Sequence, residues 1–354
     1  MEITELLRRS VEADASDIFI IPGLPLTFKV DGRQERLTET GRLLPRDTEE
    51  LIRAIYRQAG RDGESLSRPD ADDDFSFALP GVGRFRINVY HQRGSLSAVV
   101  RVIKFELPSA RELDIPPEVM RCAELKKGLV LVTGPAGSGK TTTLACILDA
   151  INRSRSGHII TLEDPLEYIH RHEQCIVSQR EIYSDCRTFL GALRSALRES
   201  PDVILLGEMR DCETIEAAMT AAETGQLLFS SIHSTGAANT VDRIIDSFPA
   251  NQQSQIRLQL STVLQAVISQ QLVPGLDGRL HPAFEIMYAN IAIRNLIRES
   301  KTFQMDSVIQ SGAAQGMRTM DGSLLEMVQK GVISRETALT YCIHYETMSR
   351  RLRA

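Results

Sequence analysis

Residues Gly134, Pro135, Ala136, Gly137, Ser138, Gly139, Lys140 and Thr141 stand in an unbroken row, with the types and spacing of a complete phosphate-binding loop. Glycines there let the backbone wrap a polyphosphate, and the helix that follows turns its free N–H groups and positive dipole end toward the anion. Lys140 is placed to reach β- and γ-phosphates, and Thr141 to offer a hydroxyl to Mg2+; Thr142 extends the cofactor-binding set into the helix. The motif counts only between a strand and a helix. Leu129, Val130, Leu131 and Val132 precede it as a continuous apolar run, and Leu144, Ile147, Leu148 and Ile151 follow at helical spacing. The ligand this chemistry implies is a nucleoside triphosphate such as ATP, with Mg2+.

Three further groups sit just beyond predicted strands. Residues 158–162 run into Glu163, Asp164, Pro165, Leu166 and Glu167. A carboxylate at the C-terminal end of a parallel strand enters the ligand crevice, where it can polarise an attacking water; an acid-rich turn in solvent is the other reading. Residues 203–206 lead to Gly207, Glu208, Met209, Arg210 and Asp211. Glu208 is expected to hold Mg2+ through water, Gly207 stands where many nucleoside triphosphatases place an aspartate, and Asp211 suits a helix N-cap. Residues 226–231 lead to His233, either a contact for the γ-phosphate or its water, or simply a satisfied polar side chain.

The elements that must position these groups form a chain of 354 residues with 42% hydrophobic and 25% charged residues, long enough for two or three domains. A net charge of −5 disfavours a motor that tracks nucleic acid. No apolar run approaches the roughly 20 residues that span a bilayer, and the first residues lack a secretory core, so a cytoplasmic protein is expected. Six cysteines, at 122, 146, 175, 186, 212 and 342, make no C-x-x-C pair, so no zinc is expected.

Residues 1–104 read as an α+β unit: a short helix around Ile3, Leu6 and Leu7, strands at 17–21 and 26–30 joined by the turn signal Asp31-Gly32, a helix at 49–59, a solvated loop over 61–74, and strands at 84–90 and 97–103. Residues 105–117, with three prolines, read as a linker. From 118 to 354 strands (129–133, 158–162, 203–206, 226–231) alternate with helices, which implies a mostly parallel sheet; residues from about 250 on are mainly helical. On the strand at 84–90, Arg84 and Arg86 share one face, and Arg101 interrupts an apolar run. All three are candidates to reach phosphate from a neighbouring domain, with a solvated face or internal ion pairs as the alternative.

These segments, in this order, resemble the secretion ATPase superfamily, most of all its type IV pilus retraction branch of PilT and PilU type. The resemblance rests on A-S-D at 15–17, G-R-F-R-I-N at 83–88, G-P-A-G-S-G-K-T-T-T-L at 134–144, T-L-E-D-P-L-E at 161–167, D-V-I-L-L-G-E-M-R-D at 202–211, A-E-T-G-Q at 222–226, S-I-H-S-T at 231–235 and A-I-R-N-L-I-R-E at 292–299. It implies a PAS-like N-terminal α+β domain, a RecA-like ATPase domain and a homohexameric ring. It also implies Glu163 as the catalytic carboxylate, Glu208 as the Walker B acid and arginines of the N-terminal domain at the nucleotide. The expected activity is ATP hydrolysis that powers pilus retraction, by a ring docked on an inner-membrane platform protein at the cytoplasmic face of the membrane. An assembly or secretion ATPase of the same superfamily is the near alternative, and a regulatory ring subunit that binds ATP without turnover is the other.

Two positions depart from the family pattern: Gln226 replaces a histidine, which removes a titrating group, and Phe19 replaces another. In the 292–299 segment, Ile293, Leu296 and Ile297 form an apolar stripe. Arg294 and Arg298 stand four apart, where like charges repel on an isolated helix. That pair is expected to meet an acidic partner, either another part of the ring or the machinery the ring pushes on; the second is favoured because it would couple hydrolysis to work.

Overall fold

The computed structural model describes residues 2–30, 32–63, 66, 72–103 and 107–353. Asp31 of the turn signal, part of the 61–74 loop, and residues 105 and 106 of the linker fall outside these residues. The chain divides into two compact units, Met1–Glu106 with Glu167–Ile169, and Leu107–Leu166 with His170–Ala354.

The first unit runs α1 (Ile3–Glu12), β1 (Asp17–Ile20), β2 (Thr27–Val30), β3 (Arg33–Arg36), α2 (Pro45–Gln58), β4 (Asp73–Leu79), β5 (Gly83–Gln92) and β6 (Ser95–Ile103). The strands form one antiparallel sheet in the order β3-β2-β1-β6-β5-β4. Period-two burial puts Phe85, Ile87 and Val89 of β5, with Ile18 and Ile20 of β1, into one core with Leu6 and Leu7 of α1 and Ile52 and Ile55 of α2. Phe19, between the two isoleucines, is half-buried.

Several boundaries differ from expectation. α2 starts four residues early because Pro45 takes the first helical position and the Asp47 carboxylate accepts from the Leu44 N–H. β3 was not foreseen, because Arg-Gln-Glu-Arg is exposed throughout and carries no hydrophobic alternation. Asp73 and Asp74, expected in a loop, begin β4 instead.

Arg101 is not the costly buried charge its apolar neighbours suggested. Its side chain is 67% exposed and lies 3.2 Å from Asp17, its register partner on β1. Arg86 meets the Asp74 carboxylate with Nε at 2.9 Å and Nη2 at 2.6 Å.

The second unit runs α3 (Pro117–Met120), β7 (Gly128–Thr133), α4 (Lys140–Ser154), β8 (Gly157–Glu163), β9 (Cys175–Glu181), α5 (Phe189–Ala196), β10 (Val203–Glu208), α6 (Cys212–Glu223), β11 (Leu227–Ile232), α7 (Ala237–Asp246), α8 (Gln253–Val263), β12 (Leu264–Pro274), β13 (Leu280–Tyr288), α9 (Ile291–Arg298), α10 (Met305–Ser311), α11 (Met320–Gln329), α12 (Arg335–Tyr341) and α13 (Tyr345–Arg353). Its sheet has the order β13-β12-β7-β11-β10-β8-β9, parallel except for the β13 edge. Leu129 and Leu131 of β7 pack on one side with α5 to α9, while Val130 and Val132 pack on the other with α3 and α4. Helices on both faces explain why β7 is apolar at every position rather than at alternate ones.

The end of the chain is mainly helical as expected, but the β12–β13 hairpin within it was not foreseen. Its 11 and 9 residues lengthen the sheet beside β7. β9 was likewise missed, since Cys-Ile-Val-Ser-Gln-Arg-Glu is too short and polar to separate from a loop.

The stripe on α9 is real: Ile293 and Ile297 are fully buried. The arginines do something other than expected. Arg294 Nη1 donates to the Ser261 and Thr262 carbonyls at 2.7 and 2.9 Å, and Nη2 donates to Gln265 Oε1 at 3.2 Å. These carbonyls end α8, where no intrahelical donor remains and the dipole favours a cation. The partner of Arg294 is therefore a helix terminus, not an acidic protein surface, and only the exposed Arg298, bonded to Asn295 Oδ1, is left to face outward. Arg294→Ala is expected to cost about 1–2 kcal/mol of stability, and Arg298→Ala less than about 0.5 kcal/mol. Urea midpoints measure both, and equal midpoints for the two variants would contradict the capping role.

Candidate nucleotide site

The loop between β7 and α4 is built by close approach of backbone. Gly134, Gly137 and Gly139 have φ of 142°, 74° and 84°, values that L side chains rarely adopt. A Cβ on Gly134 would stand 2.1 Å from the Gln270 carbonyl oxygen of β12 and 2.7 Å from Ser138 Oγ. Gln270 is itself buried, and its Oε1 accepts from Thr143 Oγ1 at 2.7 Å, so β12 braces both the loop and the start of α4. Ser138 Oγ is buried and has no hydrogen-bond partner among the described residues. An orphaned hydroxyl inside a glycine cradle fits a loop that closes on an anion.

Lys140 is 8% exposed, and its ammonium donates to the carbonyls of Gly134 at 3.1 Å and Pro135 at 2.8 Å. It also lies 3.5 Å from His233 Nδ1. Because an ammonium only donates, Nδ1 faces it as the acceptor and the ring proton sits on Nε2, toward Glu208 Oε2 at 3.8 Å. Burial first, then the Lys140 charge, holds the His233 pKa below the ordinary imidazole value, with Glu208 opposing. The ring is therefore neutral at neutral pH.

Sheet order brings the acids to the same edge. β10 lies between β11 and β8, and Leu206 pairs with Leu162, so Glu208 and Glu163 end neighbouring strands. Gly207 allows a close approach there: a Cβ would meet the Leu162 carbonyl at 3.1 Å and Glu163 Cα at 3.4 Å, so a larger residue would need a shift of a few tenths of an ångström. Glu163 is buried, and Gln179 Nε2 on β9 lies 3.5 Å from its Oε1 while Gln179 Oε1 accepts from the His170 N–H. Glu208 forms an ion pair with the exposed Arg210.

Sequence reasoning missed the residues that hold this edge. The loop after His233 is pinned by Arg243, which donates to the His233 carbonyl, by Ser269 Oγ, which accepts from Gly236 N–H, and by Glu285. The buried Glu285 carboxylate accepts from Ala237 N–H at 2.6 Å and Met320 N–H at 3.3 Å, at the starts of α7 and α11, and burial raises its pKa. No local motif announces these contacts; they join strands far apart in sequence.

Asp211 is the N-cap of α6, accepting from Thr214 N–H at 2.8 Å. Gln226 precedes β11, its carbonyl accepting from Gly128 N–H and its Oε1 from Thr224 Oγ1. It stands at the opposite end of β11 from His233, roughly 20 Å along the strand, so the two cannot act on one phosphate. The thiols of Cys122 and Cys146 are pushed up to about 11 by burial, as suits packing rather than reactivity. No group of three metal-ligating side chains occurs among the described residues.

Beside Gly139, Thr142 and Thr143 a cavity of about 270 Å³ opens, with Leu113, Ile115 and Leu272 in its walls. Lys140, His233 and Glu208 cluster together beside the loop, and this cavity lies by Gly139 and Thr142 where α4 begins. For Mg2+, the Thr141 hydroxyl and the Glu208 carboxylate are the kind of hard oxygen donors that suit the ion when water and phosphate complete its shell.

A parallel sheet sheathed in helices, with a phosphate loop and two acids at its C-terminal edge, defines a nucleotide-binding protein of mixed α/β architecture. The family model described as type II/IV secretion system protein matches residues 2–340. The chain belongs to that family. It is 46% identical over 338 residues to the type IV pilus retraction ATPase PilT of Pseudomonas aeruginosa, covering 96% of this chain and 97% of the relative. It is 44% identical to a twitching motility protein of Neisseria gonorrhoeae, covering 98% and 92%. The crystal structure of the pilus retraction motor PilT with bound ADP superposes with a TM-score of 0.90 at 43% identity, covering 99% of each chain.

Gly134→Ala tests the backbone approach. Its Cβ must part the loop from β12, which overpacking data place at about 1–3 kcal/mol. Affinity for a fluorescent ADP should fall at least about tenfold while the variant stays folded by circular dichroism. Unchanged affinity would show that the contact with Gln270 does not shape the site.

Proposed function

We propose that this chain is a motor ATPase that hydrolyses ATP to drive type IV pilus retraction. The observation that carries the reading is the convergence of Lys140, Glu208 and His233 on one phosphate loop, with Glu163 on the adjoining strand. The near full-length likeness to PilT supplies the biological setting.

In this mechanism the Lys140 ammonium leaves the carbonyls of its own loop for the β- and γ-phosphates. The loop N–H groups and the start of α4 hold the polyphosphate in line. Thr141 and Glu208 would hold Mg2+, which would supply positive charge to offset the negative charge that builds up on the transferred phosphoryl group. Glu163 orients the attacking water and accepts its proton; burial and the Gln179 amide fix its carboxylate. Neutral His233 accepts from Lys140 and offers its Nε2–H toward the outer phosphate. Gln226 has no part in the chemistry.

The same proposal extends to assembly. The first unit is a PAS-like domain, the second a RecA-like ATPase domain, and the working species is a homohexamer that docks on an inner-membrane platform protein at the cytoplasmic face. Arg84, Arg86 and Arg101 are the candidates to meet phosphate when copies assemble. Consistent with a peripheral protein, no helix among the described residues is long and apolar enough to cross a membrane.

Lys140→Ala should abolish tight ATP binding, and Glu163→Gln should preserve binding but lower turnover by at least about a hundredfold, the usual worth of a general base. Binding by fluorescent nucleotide and hydrolysis by phosphate release separate the two. Normal turnover by Glu163→Gln would remove the residue from its role. Light scattering on a sizing column should give a hexamer with nucleotide; a monomer with full activity would refute the ring.

A further inference from the structure

One cluster in the second unit is not used by the phosphate chemistry. His281 of β13 is mostly buried, and both ring nitrogens face carboxylates. Nδ1 is 3.2 Å from Asp114 Oδ2, and Nε2 is 3.1 Å from both oxygens of Asp277. A neutral imidazole has one N–H and one lone pair, so one carboxylate would face a lone pair; only the cation donates to both. The three residues come from separate places. Asp277 lies in the β12–β13 turn, and Asp114 lies in the segment before α3 with its backbone at φ 52°, the left-handed region. That conformation costs a non-glycine residue energy and persists only when something holds it. The turn is also closed tightly round the ring: a Cβ on Gly275 would stand 2.5 Å from His281 Cδ2 and 2.6 Å from Asp277 Oδ1.

The position gives this clasp a purpose. Asp114 and His281 line the cavity beside Gly139 and Thr142, where α4 begins. The remaining charged groups lining it are Glu112, whose carboxylate accepts from the N–H and Oγ–H of Ser109, and Arg279, whose N–H donates to Asp277. With the polyphosphate on the loop, the nucleoside has this cavity to enter. We propose that His281 is a positioning residue for the nucleoside: its imidazolium joins Asp114 to Asp277 and so fixes the cavity wall against which base and ribose rest. The proposal rests on the nucleotide-binding reading above.

The hydrogen bond that His281 donates to Asp277, followed by the one it donates to Asp114, raises its pKa against the opposing effect of burial. A group with a raised folded value contributes fully below the ordinary imidazole range, near 6.5, and loses its contribution as pH rises through the higher folded value. Nucleoside positioning should therefore weaken toward alkaline pH.

The experiment compares the full chain with His281→Gln and Lys140→Ala, measuring the binding of ADP and of tripolyphosphate between about pH 6 and pH 8.5. Taking the ratio of wild-type to His281→Gln affinity cancels titration of the ligand itself. The ratio for ADP should be about two- to fivefold near pH 6, what one partly exposed charged clasp sustains, and should close toward one near pH 8.5. For tripolyphosphate, which has no nucleoside, it should stay at one. An ADP ratio of one near pH 6, or one that does not change with pH, overturns the clasp. An equal loss for tripolyphosphate overturns its assignment to the nucleoside end. Failure of the wild type to bind ADP, or full binding by Lys140→Ala, overturns the nucleotide reading itself.

Discussion

The rest of the site depends on one buried ammonium. Lys140 has little access to water, so its charge must be met by acceptors at every stage. In this structure the carbonyls of Gly134 and Pro135 meet it, and phosphate oxygens are the natural replacement. Holding a cation there demands a loop that bends back on its own lysine, hence glycines at 134, 137 and 139. It also demands a rigid wall behind the loop, which β12 supplies through Gln270. The sheet order follows from the same need: β7 carries the loop, with β12 bracing it on one side and β11 delivering His233 on the other.

Around that charge the acids are graded by environment. Glu208 already has Arg210 and stands near His233, so an incoming cation competes with a protein cation for it. Glu163 lies deeper, with the Gln179 amide 3.5 Å from its Oε1. Gly207 lets the end of β10 lie close to Leu162 and Glu163 at the end of β8. The buried Glu285 holds the starts of two helices and thereby the loop that carries His233.

The parts legible in the sequence are those whose chemistry is local. The loop, the strand before it and the apolar stripe of α9 each announce themselves within a few residues. So do the acids at strand ends, because a parallel strand buried on both faces is apolar throughout and its end is easily found. What stayed hidden is non-local or weakly patterned. β3 is wholly exposed, β9 mixes polar and apolar residues, and the β12–β13 hairpin follows a helix without a strong break. Arg294 was misread for a related reason. Its spacing from Arg298 speaks only of one helix, whereas its partners are the terminal carbonyls of another, some thirty residues earlier. Gln226, which replaces a histidine of the family pattern, lies a full strand away from His233.

The central claim is that Lys140 exchanges its own loop's carbonyls for phosphate while Glu163 and Glu208 stay on either side of the same ligand. A crystal structure of the full chain with Mg2+ and a non-hydrolysable ATP analogue tests it most directly. The account predicts the Lys140 ammonium within hydrogen-bond distance of the β- and γ-phosphates, about 2.7–3.2 Å, and no longer on Gly134 and Pro135. It also predicts Glu208 at the metal through water and Glu163 facing the γ-phosphate. A nucleotide bound elsewhere, or a lysine still held by its own loop with the analogue in place, would contradict it.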